Sequence, residues 1–382
     1  MKKLLYITNI PAPYRQKRFN TMAKIFPEYG IEFEVLYMAE TEPDRQWIIP
    51  EDSYNYNYKI FKGIHPTVGR FYAHFNPGLL LRLLKNDYDI AVVGGMANPT
   101  LWLAPFFISH NKFKIMSVES NLYSVSWKKG IAAWIKCMLL NKMSAYQVTG
   151  QPQIDLINFY QPKAINKKFI RLPNLIDEEV FLVQVDKLKE AKEPLRNEFG
   201  VSANEQMWVL PARLIEIKGI IPFIRALTGL KGYRLFILGD GEQANEIQNI
   251  VDTNTLNVTL VGFVQQHDVI RYYAAADLFI LSSFKDPSPL SPIEALAAGL
   301  PILVSQKIGN INEVLEEGEN GWKFEPGNVS EINKLASEVL KLSRDELAIR
   351  GIASRKQYHR IFETENCIRN YAQQIQDALK ND

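Results

Sequence analysis

Cysteine is scarce: Cys137 and Cys367 are the only two in 382 residues. Two isolated thiols exclude a disulfide framework and a cysteine-based metal site, and make a reducing compartment the expected setting. Long apolar runs are also missing. The longest, Leu101 to Ile108, contains Pro105 and is far too short to span a bilayer. The start, MKKLLYITNIPAPYR, is basic, but its apolar stretch ends at Asn9, so it reads as a first strand rather than a secretion signal. The expected location is cytoplasmic, reaching to the inner face of the cell membrane. Of the five histidines, His65, His74 and His267 have no neighbours in sequence that suggest a catalytic base. Neither half carries GxGxxG after its first strand, which disfavours a nicotinamide dinucleotide enzyme. No short-period repeat or low-complexity tract is present.

Net charge is small, +2, but it conceals an asymmetry. Residues 1–172 hold 22 Lys and Arg against 12 Asp and Glu, and the remainder 22 against 30. The basic excess is concentrated in residues 101–172, with 10 basic and 2 acidic side chains. Opposite signs in the two halves fit two domains with different partners. A basic first half suits an anionic membrane or a phosphorylated lipid, and equally an ordinary solvated surface. The chain length also favours two domains.

Short apolar strands alternate with helical patterns throughout, which predicts α/β domains with parallel sheets. In the first half the expected strands are Leu4–Thr8, Phe33–Tyr37, Ile90–Val93, Lys114–Val118, Tyr146–Thr149 and Phe169–Leu172. In the second half they are Trp208–Pro211, Arg234–Leu238, Val258–Val261, Leu278–Leu281, Ile302–Val304 and Trp322–Phe324. Pro173 and Asn174 mark the crossover. The expected domains are 1–172 and 173–364, with a final helix at about 365–382 packing back on the first. Ligands bind outside the C-terminal strand ends of such sheets, here in a cleft between two facing domains.

Several segments of the second half can carry chemistry. Arg213 ends a strand and Lys218 opens the next helix, five positions on. Two fixed cations there suit a diphosphate and the charge that grows as it departs; each alone also suits a surface ion pair. Gly239-Asp240-Gly241 follows a strand, and its glycines permit a tight turn against a ligand. Phe263 and Val264 end another strand, where backbone groups can hold a base. Asp286, on a proline-broken turn, can grip sugar hydroxyls. Glu294, early in the following helix, can accept both hydroxyls of a ribose, and it also suits the helix dipole. Pro289, Leu290 and Ser291 bring helix N-terminal amides to a diphosphate.

These segments resemble family 4 of the retaining glycosyltransferases with the GT-B fold (glycosyl transferases group 1). The likeness covers most of residues 171–327. It rests on LPNLIDEEVF, ARLIEIKG, ILGDGE, VGFV, ADLFILSS, IEALAAGLPILVS and GNINEVLEEGENGWKFEPGN, in that order and spacing. It implies a hexosyltransferase-like enzyme with two Rossmann-like domains and a UDP- or GDP-linked sugar donor in the second. Arg213 and Lys218 match the diphosphate-binding pair, Glu294 the ribose-binding glutamate, and Asp286 the position of a sugar-contacting glutamate. Asp286 is one methylene shorter, and Pro287-Ser288-Pro289 replaces a glycine-rich turn. The implied reaction retains anomeric configuration by front-face attack, the departing phosphate taking the acceptor proton. The implied setting is bacterial surface polysaccharide synthesis.

The first half resembles the family loosely. Its expected acceptor-side residues are Pro13, Tyr14, Arg15, Gly95 and Glu119. Glu119 suits either an acceptor hydroxyl or a structural ion pair. Asp87-Tyr88-Asp89 mimics a metal-binding DxD, but Asp89 immediately precedes a core strand. No metal and no further cofactor are expected, since a basic pair can take the metal's electrostatic role. Trp127–Lys142 predicts a basic amphipathic helix whose Ile131, Trp134, Ile135, Met138 and Leu139 face the core, while Lys128, Lys129 and Lys136 suit anionic lipid. The expected partners are the donor, a glycan or lipid-linked glycan acceptor and an anionic membrane surface, with no nucleic acid. The alternatives are a nucleotide-sugar epimerase on the same fold and a non-catalytic glycan-binding or scaffold protein.

Overall fold

The computed structural model describes residues 1–42, 53–68, 71–96, 98–122, 125, 128–162 and 167–380. The chain divides into two compact units, Met1–Asn174 with Thr364–Asp382, and Leu175–Glu363.

The first unit contains strands β1 (Lys2–Thr8), β2 (Ile31–Tyr37), β3 (Asn57–Ile60), the short pair β4 (Thr67–Val68) and β5 (Phe71–Tyr72), then β6 (Ile90–Val93), β7 (Phe113–Val118), β8 (Ala145–Val148) and β9 (Lys168–Arg171). Seven of them form one sheet in the order β3-β2-β1-β6-β7-β8-β9. All of its pairings are parallel. The strand β3 was not expected. It is a sheet-edge strand, NYKI, with three exposed residues and one half-buried, so it has no apolar run to announce it.

The last helix, Thr364–Lys380, belongs to this first unit. Ile368, Tyr371 and Ile375 are fully buried. The Tyr371 hydroxyl donates to Gln147 Oε1 at 2.6 Å, and Gln147 Nε2 donates to Ser117 Oγ at 3.0 Å. Lys168 Nζ caps the Ala378 carbonyl at 2.9 Å. A buried hydroxyl tied into a polar chain is tolerated only with its partners present, so this helix is held by specific bonds as well as by its apolar stripe.

The second unit contains β10 (Gln206–Pro211), β11 (Tyr233–Leu238), β12 (Val258–Gly262), β13 (Leu278–Leu281), β14 (Ile302–Ser305) and β15 (Gly321–Phe324). Their order is β12-β11-β10-β13-β14-β15, parallel throughout. Alternate residues of β10 enter different cores: Met207 and Val209 one, Trp208 and Leu210 the other. Side chains of a strand point alternately to its two faces, so both faces of this sheet are covered. LFIL of β13 is accordingly buried at every position.

In both sheets the chain starts in the middle, winds outward, then returns to wind the other way. The reversal falls between β1 and β6 in the first unit and between β10 and β13 in the second. This is the doubly wound order, in which ligands bind beyond the C-terminal strand ends at the reversal point.

Candidate active site

The reversal point of the second unit brings together two segments far apart in sequence. One follows β10 and carries Arg213 and Lys218; the other follows β13 and carries Ser282 to Ser291. A three-residue helical turn, Glu216–Lys218, ends at Gly219, whose φ is +61°. The fuller helix begins only at Ile220, one residue beyond the expected opening at Glu216–Gly219. Gly219 is pressed against the other segment, and a Cβ there would lie 2.4 Å from the Ser282 carbonyl oxygen. Ser282 Oγ donates to the Lys218 carbonyl at 2.8 Å, and Phe284 N–H to the Ile217 carbonyl at 2.9 Å.

Across this seam Lys218 Nζ meets Asp286 Oδ2 at 2.5 Å. Both side chains are mostly buried, at 17% and 13% exposure. Burial of such a pair costs desolvation that its attraction must offset, and removal of either partner strands the other's charge. Arg213 differs: it is exposed and, among the described residues, its side chain makes no hydrogen bond or ion pair. One cation is therefore held in place while the other is exposed on the segment that follows β10.

The Asp286 turn is itself pinned. Gly309 N–H donates to the Asp286 carbonyl at 2.8 Å, and Asn310 Nδ2 to the Pro289 carbonyl at 3.0 Å. With prolines at 287 and 289, the turn has fixed φ angles and two anchors. It leads into the helix Ser291–Ala297, which carries Glu294 in its first turn. Glu294 is half-buried, and burial holds its carboxyl above the usual range. The Tyr273 hydroxyl, fully buried, lies 3.0 Å from Glu294 Oε2 and 3.3 Å from the Ser291 carbonyl oxygen. Burial and the adjacent carboxylate keep that phenol protonated, so it remains a donor.

Gly239 and Gly241 approach protein backbone closely. A Cβ on Gly239, at φ +151°, would lie 2.0 Å from the Ala212 carbonyl oxygen, and one on Gly241 2.4 Å from that of Leu214. Leu214 N–H donates to the Asp240 carbonyl at 2.9 Å. These glycines thus brace the segment that carries Arg213. We predict that Gly239→Ala destabilises the protein by on the order of 3 kcal/mol, through strained φ and the clash. Urea unfolding of the variant measures this. Of the pair at the end of β12, Phe263 is 74% exposed while Val264 packs on the core, so they do not point to one place.

In the first unit, Pro13 and Tyr14 open the helix Pro13–Ile25; their side chains lie outside the described ones. Arg15 does not reach outward as an acceptor contact would. It is buried, and its guanidinium binds Thr8 Oγ1 at 2.5 Å, Asn9 Oδ1 at 3.0 Å and Glu119 Oε1 at 2.9 Å. Glu119 is the exposed end of this chain. The chain continues inward: Asn9 Nδ2 to Glu42 Oε1 at 3.2 Å, Glu42 to His74 Nε2 at 2.9 Å, and His74 Nδ1 to His65 Nδ1 at 2.8 Å. Burial and His74 hold His65 below its ordinary value. That Asn9, Glu42 and His74 join was not legible in the sequence, because they come from three separate loops with no shared motif. Gly95, at φ +103°, follows Gly94, where a Cβ would lie 2.4 Å from the Ile7 carbonyl oxygen.

Of the DxD-like triplet, Asp87 pairs with Arg82 at 2.5 Å and Asp89 accepts from Lys3 N–H at 2.9 Å. Among the described residues, no group of three or more His, Cys, Asp or Glu could hold a metal ion.

Two doubly wound parallel sheets, of seven and six strands, are the architecture of the GT-B class. A neighbour of that class is Anabaena Alr3699/HepE, solved in complex with UDP. It matches at TM-score 0.71 and 19% identity, over 100% of both chains, and shows the fold. The profile of the family described as "Glycosyl transferases group 1" matches residues 191–357. Residues 191–357 are thus similar to this glycosyltransferase family. The N-acetyl-alpha-D-glucosaminyl L-malate synthase of Bacillus anthracis is 25% identical over 57% of this chain and 56% of its own. The amylovoran biosynthesis glycosyltransferase AmsK of Erwinia amylovora is 33% identical over 35% of each. The chain thus spans little more than half of the first of these relatives and about a third of the second.

Proposed function

We propose that the protein transfers a hexose-like sugar from a UDP- or GDP-linked donor to a glycan or lipid-linked glycan, with retention at the anomeric carbon, in surface polysaccharide synthesis. The observation that carries this reading is the Lys218–Asp286 pair at the reversal point, with the exposed Arg213 on the segment that follows β10. A diphosphate arriving there competes with Asp286 for Lys218. The ammonium and Arg213 then face the phosphates, and the released carboxylate becomes an acceptor for sugar hydroxyls. As the bond to the sugar breaks, negative charge grows on the departing diphosphate, and the two cations stabilise it without a metal. Glu294, oriented by Tyr273, accepts the ribose hydroxyls. The departing phosphate oxygen takes the acceptor's proton, so no protein nucleophile is required. Acceptor contacts fall to the exposed Glu119 end of the first unit's polar chain. The similarity to AmsK, an amylovoran biosynthesis glycosyltransferase, supports the polysaccharide setting.

A thermal-shift screen of UDP-, GDP-, ADP- and CMP-sugars tests the donor assignment. At a concentration 100 times its Kd a matched donor adds about 2.7 kcal/mol, or roughly 5–10 °C in a unit of this size. No response to any of the four would refute it. Turnover of the matched donor without acceptor would point instead to an epimerase.

The helix Gly130–Leu140 bears on the acceptor's source. Its apolar face was expected in the core, and Leu139 is buried, but Ile131 is 78% and Trp134 64% exposed. Trp127, at the start of the expected helix, lies outside the described residues. Lys128 and Lys129 are exposed beside the helix, and Lys142 Nζ lies 4.9 Å from the ring centroid of the half-exposed Phe106. Exposed aromatic and aliphatic groups among lysines suit an anionic lipid surface. No helix among the described residues is long and apolar enough to cross a membrane. The double variant Ile131→Asp, Trp134→Asp is expected to weaken binding to anionic vesicles by roughly tenfold or more, since each side chain loses an apolar partner. Vesicle sedimentation decides, and unchanged binding would place the membrane contact elsewhere or nowhere.

A further inference from the structure

A second feature of the Leu175–Glu363 unit lies at the other edge of its sheet. A cavity of about 600 Å³ adjoins the residues that precede β13 and β14, Asp277 and Pro301. Asp286 and Glu294 follow the opposite end of β13. Four residues of strand, or about 13 Å, separate the two edges.

The cavity wall is cationic. Lys189, Lys192, Arg344 and Arg355 face it, against the carboxylates of Asp186 and Asp277. Both carboxylates are already taken. Asp186 is held by both terminal nitrogens of Arg355, at 2.8 and 3.2 Å. Asp277 accepts from Arg196 at 2.6 Å, Lys192 at 2.8 Å, the Met207 N–H at 2.8 Å and Arg344 Nε at 3.3 Å. Glu193, just outside, is bound by Arg344. Lys189 is left over. Among the described residues its ammonium has no hydrogen bond and no ion pair. Burial, with Lys192 and Arg355 nearby, pushes it down to about 8.

Backbone geometry keeps the space around it. A Cβ on Gly299, at φ +61°, would lie 3.3 Å from Lys189 Nζ, and one on Gly351 only 2.2 Å from the Gly299 carbonyl oxygen. The rest of the wall is apolar, from Leu300, Pro301 and Leu347. A half-buried ammonium without an acceptor is unfavourable unless something supplies one. What fits is an anion with several acceptor oxygens. A phosphate group suits the point charge of the Lys189 ammonium. The volume lies within the range of small-molecule sites.

We propose that this cavity is an accessory phosphate site, in which Lys189, flanked by the carboxylate-paired Arg355 and Lys192, receives inorganic phosphate or a small phosphate monoester whose organic part rests on the Leu300–Pro301 wall. The site is separate from the donor turn and does not depend on the proposed transfer reaction.

Competitive trace acylation of the intact protein, read lysine by lysine by mass spectrometry, tests it. Inorganic phosphate is expected to slow labelling of Lys189 saturably. A ligand that raises the lysine by one pKa unit lowers its free-amine fraction up to tenfold. Exposed Lys187 on the same helix serves as the reference and should not respond. A thermal arm uses the Lys218→Ala background, so that phosphate at the donor turn does not contribute. There phosphate should raise Tm, and Lys189→Met should abolish the rise while folding at least as stably in phosphate-free buffer. Protection only by vesicles containing phosphatidic acid, with none by phosphatidylcholine, would place the same phosphate chemistry on a lipid headgroup. No protection from either source, or equal protection of Lys187, would overturn the proposal. So would a Tm rise that survives Lys189→Met.

Discussion

Lys218→Ala is expected to lower kcat/KM for sugar transfer by about 10²–10³-fold, the effect of removing one preorganised donor from a developing anion. The fold should survive. The backbone role of residue 218, accepting from Ser282 Oγ at 2.8 Å, does not need the side chain. What changes is electrostatic. Asp286 loses its partner at 2.5 Å and stands as a mostly buried carboxylate facing the incoming diphosphate. The loss therefore combines a missing attraction with a new repulsion, and Asp286→Asn added to Lys218→Ala should recover part of it. Lys218→Arg should rescue poorly, because a planar fork does not replace a compact ammonium in a fitted pair. Full activity in Lys218→Ala, with the donor found by thermal shift, would remove the central element of the proposed function.

Glu294→Ala is the second large effect. A charge-assisted hydrogen bond contributes roughly 1.5–3 kcal/mol, so donor binding should weaken by about 10–100-fold. Stability should change little or rise. The deletion removes a carboxylate that burial already disfavours, and the Tyr273 hydroxyl keeps the Ser291 carbonyl oxygen at 3.3 Å. The pH dependence has two opposite signs. The folded-state carboxyl sits above its ordinary 4.5. As pH rises from 4.5 through the raised value, the folded chain holds the proton more tightly than the unfolded chain, so this group's contribution to stability falls. Donor binding, which uses the carboxylate, rises over the same window. Glu294→Ala should flatten both trends. Calorimetric donor titration against pH, with denaturant melts at the same points, separates them. A variant that binds donor normally across this range would exclude Glu294 from the ribose.

Legibility differed between elements for identifiable reasons. Core strands such as Leu278–Leu281 are legible because both faces are covered, so every position must be apolar. The edge strand Asn57–Ile60 is not, because backbone pairing alone recruits it. The four second-unit residues Arg213, Lys218, Asp286 and Glu294 lie on two segments whose order and spacing carry a recognisable pattern. Their mutual geometry is another matter. Nothing in the sequence says that Lys218 rests on Asp286, or that Tyr273, on a different helix, orients Glu294. The bonds that Arg15 makes were not legible, because a guanidinium near a strand end satisfies whichever acceptors the fold brings near it. Here those were Thr8, Asn9 and Glu119.

The sequence by itself determined the two α/β units and the motifs of residues 171–327 that resemble the glycosyltransferase family, because periodicity and short-range spacing are local properties of a chain. Only the tertiary structure decided which charges neutralise one another and which are left over. Lys218 found a carboxylate and Lys189 did not, though each is a lysine near a helix end with acidic residues nearby in sequence. Pairing depends on which side chains the sheet's winding brings within a few ångströms, and on how much water remains between them.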